Sequence, residues 1–193
     1  MVHPDQVARA TPTAQTGWVL LTTARLRIRE MTRDDLPALR AIMQDPVTMT
    51  AHEGAFDDAA VDGWLDRTLA RYAADGYALW AVALPETDEM IGQCGITNQH
   101  ILGADVLEVG YLFRRDVWGN GYATEAAAAC RDYAFTSLGA DRVWAQVRDT
   151  NIASMNVAIR LGMTVRGRFI KEYRGVTMPH LAFAVAASAA THG

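Results

Sequence analysis

The sequence predicts an α/β fold: one mixed sheet with helices on both faces, built as a single domain. Three observations predict it. Short apolar or alternating segments are interspersed with segments whose apolar residues recur at intervals of three and four. Their order reads β-α-α-β-β-β-α-β-α-β-β, without internal repeats or a linker. The chain has 193 residues, half of them hydrophobic, which is the content of one packed core.

Taken in order, Met1 to Gly17 are rich in Thr, Ala, Gln and Pro without periodicity and are expected to be disordered. The folded domain is placed at 18–187, with 188–193 as a C-terminal tail. Leu26 to Arg29 alternates like a half-buried first strand. Thr32 and Asp35 form a capping-box pattern before a helix carrying Leu36, Leu39, Ile42 and Met43 on one face. Asp57 or Asp58 caps a second helix, in which Val61, Trp64, Leu65, Thr68, Leu69 and Tyr72 keep helical spacing until Gly76 ends it. Trp64, Trp80 and Trp144 are expected in the core. Tyr77–Leu84 and Met90–Thr97 read as an antiparallel hairpin, and Asn98 to Val106 as a turn containing Gly103. After the central helix come a strand at Arg142–Val147 and a helix opened by Asp149 to Asn151 and closed by Gly162. Two last strands follow, at Thr164–Tyr173 and Met178–Val185.

The most informative stretch runs from Leu107 to Glu125. Leu107 to Phe113 is a strand, and Trp118 to Tyr122 is a loop with glycines at 119 and 121. Tyr122, Ala126, Ala129, Tyr133 and Leu138 then mark one face of a helix reaching about Ser137. A glycine loop lets main-chain N–H groups approach an anion closely. A helix N-terminus adds unpaired N–H groups and the positive end of its dipole. Together they make a phosphate or pyrophosphate site. The plainer reading is a simple strand-to-helix turn. A dinucleotide fingerprint does not fit: Thr124 stands where the third glycine belongs, and Asp149 comes later than the usual spacing of about 20 residues.

The run Trp118-Gly119-Asn120-Gly121-Tyr122-Ala123-Thr124-Glu125-Ala126, after Glu108-Val109-Gly110-Tyr111, resembles the acyl-CoA loop of the GNAT N-acetyltransferases. It is most similar to the branch related to ribosomal-protein-alanine N-acetyltransferases. The family signature [QR]-x-x-G-x-[GA] falls on Trp118, Gly121 and Ala123, with Trp118 departing from the general pattern. The similarity extends from about Thr23 to Val185. It implies a GNAT-type, mostly antiparallel sheet whose two central strands splay around acetyl-CoA. Main-chain groups around Leu112 and Phe113 would meet the pantetheine arm. Those of Gly119, Asn120, Gly121, Tyr122, Ala123 and Thr124 would hold the pyrophosphate.

A second segment, Asn151-Ile152-Ala153-Ser154 followed by Arg160, Leu161, Gly162 and Met163, resembles the family's N-x-x-S … [KR]-x-G-[FM] helix. By that likeness Asn151 binds the pantetheine arm and Ser154 lies near the thioester sulfur. Read without the family, Asn151 is a helix cap and Ser154 an ordinary helix residue. Where many members carry a tyrosine acid, this chain has Ala158, so Ser154 or a water must protonate the thiolate.

The implied reaction is acetyl transfer to a primary amine by direct attack, on a peptide N-terminus or a small molecule. A non-catalytic acyl-CoA-binding sensor is the alternative. A primary amine near pKa 10 is mostly protonated at neutral pH, so a base is useful. Glu108, the ionisable residue of an otherwise apolar strand, is the first candidate and Glu172 the second; an exposed position is the competing reading for both. His52, Glu53 and His180 are candidate substrate-binding residues. Cysteines, histidines and carboxylates show no metal-ligand spacing, so no metal is expected. The net charge of −4 without basic blocks argues against nucleic acid. No segment is long and apolar enough to suggest a membrane span. Cys94 and Cys130 lie in apolar surroundings, as buried thiols would. A soluble, cytoplasmic monomer or homodimer is expected.

Overall fold

A computed structural model describes residues 19–52, 54–173 and 175–187. The expected tails at 1–17 and 188–193 lie outside the described residues, as does Glu53. Eight strands form one sheet: β1 (Val19–Thr22), β2 (Arg27–Arg29), β3 (Leu79–Ala83), β4 (Met90–Ile101), β5 (Ala104–Phe113), β6 (Arg142–Arg148), β7 (Thr164–Tyr173) and β8 (Val176–Ala186). Their order across the sheet is β1-β2-β3-β4-β5-β6-β8-β7. Four helices accompany them: α1 (Leu36–Met43), α2 (Asp58–Asp75), α3 (Tyr122–Thr136) and α4 (Ile152–Arg160). All neighbouring strands are antiparallel except β5 and β6. A parallel pair needs a crossover, and α3 supplies it.

The larger core packs α3 and α4 against one face of the sheet, around Trp80, Ile91, Cys94, Val109, Cys130 and Val143. Trp80 is fully buried and meets the Tyr133 ring edge-on at 5.3 Å. The smaller core packs α1 and α2 on the opposite face, through Leu39, Ile42, Met43, Val61 and Leu65. The two cysteines are free and buried. No helix among the described residues is long and apolar enough to cross a membrane.

Two elements differ from the sequence reading. The first strand is β1 rather than the segment at Leu26–Arg29, which is second. Val19-Leu20-Leu21-Thr22 lacks period-two alternation because a bulge interrupts its pairing with β2. The stretch Asn98 to Val106 is not a loop either. β4 and β5 pair down to Ile101↔Ala104, leaving a two-residue turn with Leu102 at φ 51° and Gly103 at φ 83°. Both left-handed residues fit a primed hairpin turn, but a leucine in the first position hides the usual Asn-Gly or Asp-Gly signal. The Leu102 side chain lies where a Cβ on Gly167 would come within 2.7 Å of it.

The caps appear where the sequence puts them. Thr32 N–H donates to Asp35 at 2.8 Å and Asp34 N–H to Thr32 Oγ1 at 3.3 Å, closing a 3₁₀ turn before α1. Asp57 Oδ1 accepts the Ala60 N–H at 2.8 Å to start α2. Asp35 also receives both Arg29 Nη groups at 2.8 Å, and both side chains are only 6% exposed. This pair fastens β2 to α1, and α1 in turn contributes Met43 to the wall of the second cleft described below. Removing one partner of a buried pair strands the other charge. Asp35→Ala is therefore expected to lower the unfolding free energy by about 3–5 kcal/mol, read by urea denaturation. A loss below about 1 kcal/mol would show that Asp88, 3.5 Å from Arg29 Nε, or water compensates the charge instead.

Candidate active site

The parallel pairing of β5 and β6 ends after Leu107↔Val143 and Glu108↔Trp144. Both strands continue, β5 to Phe113 and β6 to Arg148, so they diverge and open a gap in the sheet. At the vertex a side chain replaces the next ladder bond: Gln146 N–H donates to Glu108 Oε1 at 3.0 Å. Further out, the Tyr111 hydroxyl donates to the Ser154 carbonyl at 2.9 Å and ties β5 to α4. Arg114 N–H donates to Ile91 O, so by alternation the main chain of Leu112 faces β4. The main chains of Tyr111 and Phe113 face the gap. Leu112, expected to offer its main chain there, does not. The Phe113 carbonyl is already taken by the Trp118 indole N–H at 2.9 Å.

A cleft of about 930 Å³ runs from this gap along the loop before α3 and along α4. Gly119 and Gly121 both hold φ 81°, a left-handed conformation that disfavours any side chain. Gly121 is the N-cap of α3, and Glu125 N–H, donating to Gly121 O at 3.0 Å, begins the helical pattern. The N–H groups of Gly119, Asn120, Gly121, Tyr122, Ala123 and Thr124 have no protein acceptor among the described residues. The loop's carbonyls are engaged instead: Asn120 Nδ2 donates to Val117 O at 3.1 Å, and Arg25 Nη1 to Asn120 O at 2.9 Å. Arg25 also donates through Nε to Glu125 Oε2 at 2.7 Å and lies 4.7 Å from the Tyr122 ring centre. Thr23 Oγ1 and Arg25 N–H donate to Glu125 Oε1 at 2.6 and 3.0 Å. Burial would raise the Glu125 carboxyl, but these bonds outweigh it and hold it below the usual glutamate range.

A second cleft, of about 350 Å³, opens on the α1/α2 face of the sheet. It meets the first at Ala51, Tyr111, Leu112, Asn151 and Ser154. Glu108 sits in its wall, and burial pushes its carboxyl up, against the opposing pull of the Gln146 N–H and the Lys171 charge. His180 is buried and stacks on Phe169 at 5.7 Å. Its Nδ1 lies 3.0 Å from the Met178 carbonyl, which can only accept, so Nδ1 carries the proton and a neutral ring presents Nε2 as an acceptor. Burial lowers the His180 pKa and favours that neutral form.

The geometry gathers most of the residues singled out by sequence. Glu108, His52 and His180 line the second cleft, Phe113 and Gly119 to Thr124 the first, and Leu112, Asn151 and Ser154 both. Asn151 does cap α4, through Ser154 N–H to Oδ1 at 3.1 Å. Glu172 is not brought in. It is exposed on the β7–β8 hairpin, bonded to the Thr177 hydroxyl at 2.9 Å, while its strand neighbour Lys171 lines the cleft. Trp64, expected in the core, also lines the second cleft and donates to Gln93 Oε1 at 3.0 Å. Sequence reasoning missed Gln93 and Tyr111. A lone glutamine in the apolar run Met90–Ile96 was the available signal for the first. The second gave none, because a tyrosine suits any strand. No group of three or more His, Cys, Asp or Glu side chains among the described residues is placed to hold a metal.

A family model described as an acetyltransferase (GNAT) domain matches residues 25–164. The protein YkkB of Bacillus subtilis (strain 168) is 38% identical over 144 residues, 74% of this chain and 84% of its own length. An acetyltransferase structure from Agrobacterium tumefaciens str. C58 is 29% identical with a TM-score of 0.72, covering 96% of this chain and all of that one. The fold alone is shared with RimL, a ribosomal L7/L12 α-N-protein acetyltransferase (14% identity, TM-score 0.77, covering 93% of this chain and all of that one). With its splayed central strands and glycine loop, the chain belongs to the GNAT acetyltransferase family.

Proposed function

We propose that the chain moves an acetyl group from acetyl-CoA to a primary amine bound in the second cleft. The observation that carries this reading is the junction of the two clefts. One ends in six main-chain N–H groups without a protein acceptor among the described residues, the other in the half-buried Glu108 carboxylate, and they meet where the sheet opens.

The residues present fit acetyl-CoA. The N–H groups of Gly119 to Thr124 suit a diphosphate, and the missing side chain at Gly121 keeps the approach clear. The gap-facing main chain of Tyr111 and Phe113, with Asn151 opposite, suits the amide-bearing pantetheine arm. Acetyl-CoA supplies an already activated acyl group, so no covalent enzyme intermediate is required.

The chain's own groups then serve the amine. Glu108 accepts the ammonium proton, directly or through one water. The Tyr111 N–H, pointing into the gap, stabilises negative charge developing beside it. Ser154 offers its hydroxyl proton to a thiolate. Ala158 is buried and Tyr111 spends its hydroxyl on the Ser154 carbonyl, which leaves Ser154 or a water as the acid.

Because the base must be ionised, kcat/KM should rise with pH through a step displaced above the ordinary glutamate range, as burial of Glu108 dictates. Glu108→Gln keeps an acceptor for the Gln146 N–H but cannot take a proton. It is expected to lower kcat/KM about 10²–10⁴-fold near neutral pH and abolish that step, with CoA affinity by calorimetry unchanged. An unaltered pH–rate profile removes Glu108 from the role.

The same group has a stability signature. A carboxyl raised in the folded state binds its proton more tightly there than in the unfolded chain. Its contribution is thus full below about pH 4.3 and is lost as pH rises through the raised value. The decline in unfolding free energy from pH 4 to pH 7 should accordingly be shallower in Glu108→Gln than in the parent, by urea titration at both pH values.

Gly121→Ala places a side chain on a left-handed residue, costing about 1–2 kcal/mol. Relief of that strain reshapes the N–H cradle, so the Kd for acetyl-CoA should rise about tenfold. Unchanged binding would mean that the loop does not grip the diphosphate.

A further inference from the structure

β7 is the last strand of the sheet, and among the described residues its main chain pairs only with β8. The opposite edge, β1, is short and bulged, as exposed edges of soluble proteins usually are. β7 is ten residues long and has no proline. Its one irregularity lies at 165–167, which leaves Arg168 to Tyr173 regular. Val165 and Ile170 on this strand are 51% and 55% exposed. Leu102, lying over Gly167, and Val176, the partner of Tyr173, add two more exposed apolar side chains. An edge this long, regular and apolar is a template for another strand.

The outward groups can be named. Asp149 N–H donates to the Pro179 carbonyl at 3.1 Å, so the main chain of Pro179 faces β6 and that of His180 faces β7. Phe169, paired with His180, therefore directs its main chain to β8, and Arg168, Ile170 and Glu172 direct theirs outward. Phe169 stacks on His180 and Lys171 lines the second cleft, so both side chains lie on the α1/α2 face. Those of Arg168, Ile170 and Glu172 alternate to the other face.

This edge is self-complementary about Ile170. With Ile170 on a twofold axis, antiparallel pairing sets Arg168 against the partner's Glu172 and Phe169 against the partner's Lys171, each pair occurring twice. Unlike charges meet, an aromatic ring meets an ammonium group, and the exposed Ile170 is covered by its own copy. The three outward main chains all find partners, which makes about six hydrogen bonds. Arg168 already holds Asp149 at 3.0 Å, so the partner's Glu172 would extend a row of alternating charge. An axis at Arg168 would instead bring two guanidinium groups together. An axis at Phe169 would set Arg168 against the partner's Ile170 and draw the bulge at 165–167 into the ladder.

We propose that two copies of the chain join edge to edge through β7, with Ile170 on the twofold axis. The two sheets become one, and both second clefts open on the same side of it. The partner's Phe169 stands beside Lys171 at the rim of each. The ladder is narrower than a standard interface, so the dimer is expected to dissociate on dilution, with a Kd in roughly the micromolar range.

The test follows the full chain by sedimentation velocity over a dilution series. The sedimentation coefficient should fall from that of a dimer to that of a monomer. Ile170→Lys sets two ammonium groups on the axis, at a position already exposed in the single chain. It should raise the Kd at least about tenfold.

Ile170→Cys reads the register. In a hydrogen-bonded pair the Cα atoms stand about 5.5 Å apart, within the span of a disulfide. Oxidised glutathione should therefore link two copies of this variant, leaving two molecules of reduced glutathione. In Glu172→Cys the two thiols lie roughly 13 Å apart along the strand, and no link should form. Cys94 and Cys130 are buried and do not compete. A monomer at every concentration would overturn the proposal, as would a dimer that Ile170→Lys leaves intact. Equal cross-linking of both cysteine variants would overturn it too.

Discussion

A parallel strand pair that stops after two residues leaves main-chain groups in the middle of a sheet without ladder partners. Buried peptide groups cannot stay unpaired without a cost, so an opening of this kind must be stabilised locally. Three side chains do so. Glu108 takes the Gln146 N–H at the vertex, Trp118 caps the Phe113 carbonyl, and Tyr111 reaches across to the Ser154 carbonyl. What they leave uncovered, the gap-facing N–H groups of Tyr111 and Phe113, is what an amide-bearing ligand arm requires. The site is the part of the sheet that the protein does not finish by itself.

The anion end of the site poses an electrostatic difficulty that the fold resolves. Glu125 stands in the first turn of α3, where a carboxylate is favourable to the helix but competes with any bound anion for its positive end. Arg25 sits against it, with Nη2 2.6 Å from Oε2, and Thr23 adds a further donor. The carboxylate is thereby neutralised, so the N–H groups of the loop remain directed at the cleft. Because Thr23 and Arg25 belong to the turn between β1 and β2, the N-terminal hairpin also fixes the loop's position.

Much of this was legible in the sequence. The glycine loop with its helix, the caps at Thr32 and Asp57, and the amphipathic faces of α1 and α2 depend on local spacing, and local spacing is what a sequence displays. Three things were not legible, each for a physical reason. The primed turn at Leu102-Gly103 carries a leucine in the left-handed region, which turn chemistry does not anticipate. The divergence of β5 and β6 depends on pairing between residues about 36 apart, and no local pattern records where pairing ceases. The exclusion of Glu172 came down to one residue of register: in β7 the cleft takes Lys171 and turns its neighbour outward. A side chain's face depends on the strand's phase, and a run of polar residues such as Arg166, Arg168, Lys171 and Glu172 does not mark that phase.

Strand alternation also explains how two substrates can be kept apart and yet meet. Along β5, Glu108, Gly110 and Leu112 face the α1/α2 side, while Val109, Tyr111 and Phe113 face α3 and α4. In an intact sheet those two sets would never share a ligand, because the hydrogen-bonded main chain lies between them. The gap removes that barrier over a few residues and nowhere else. On β5 the even-numbered Glu108 and Gly110 line the second cleft and the odd-numbered Phe113 the first, while Val109 also borders the second. Among the described residues, Ala51, Tyr111, Leu112, Asn151 and Ser154 line both clefts, and any reaction between molecules bound in the two would have to pass among them.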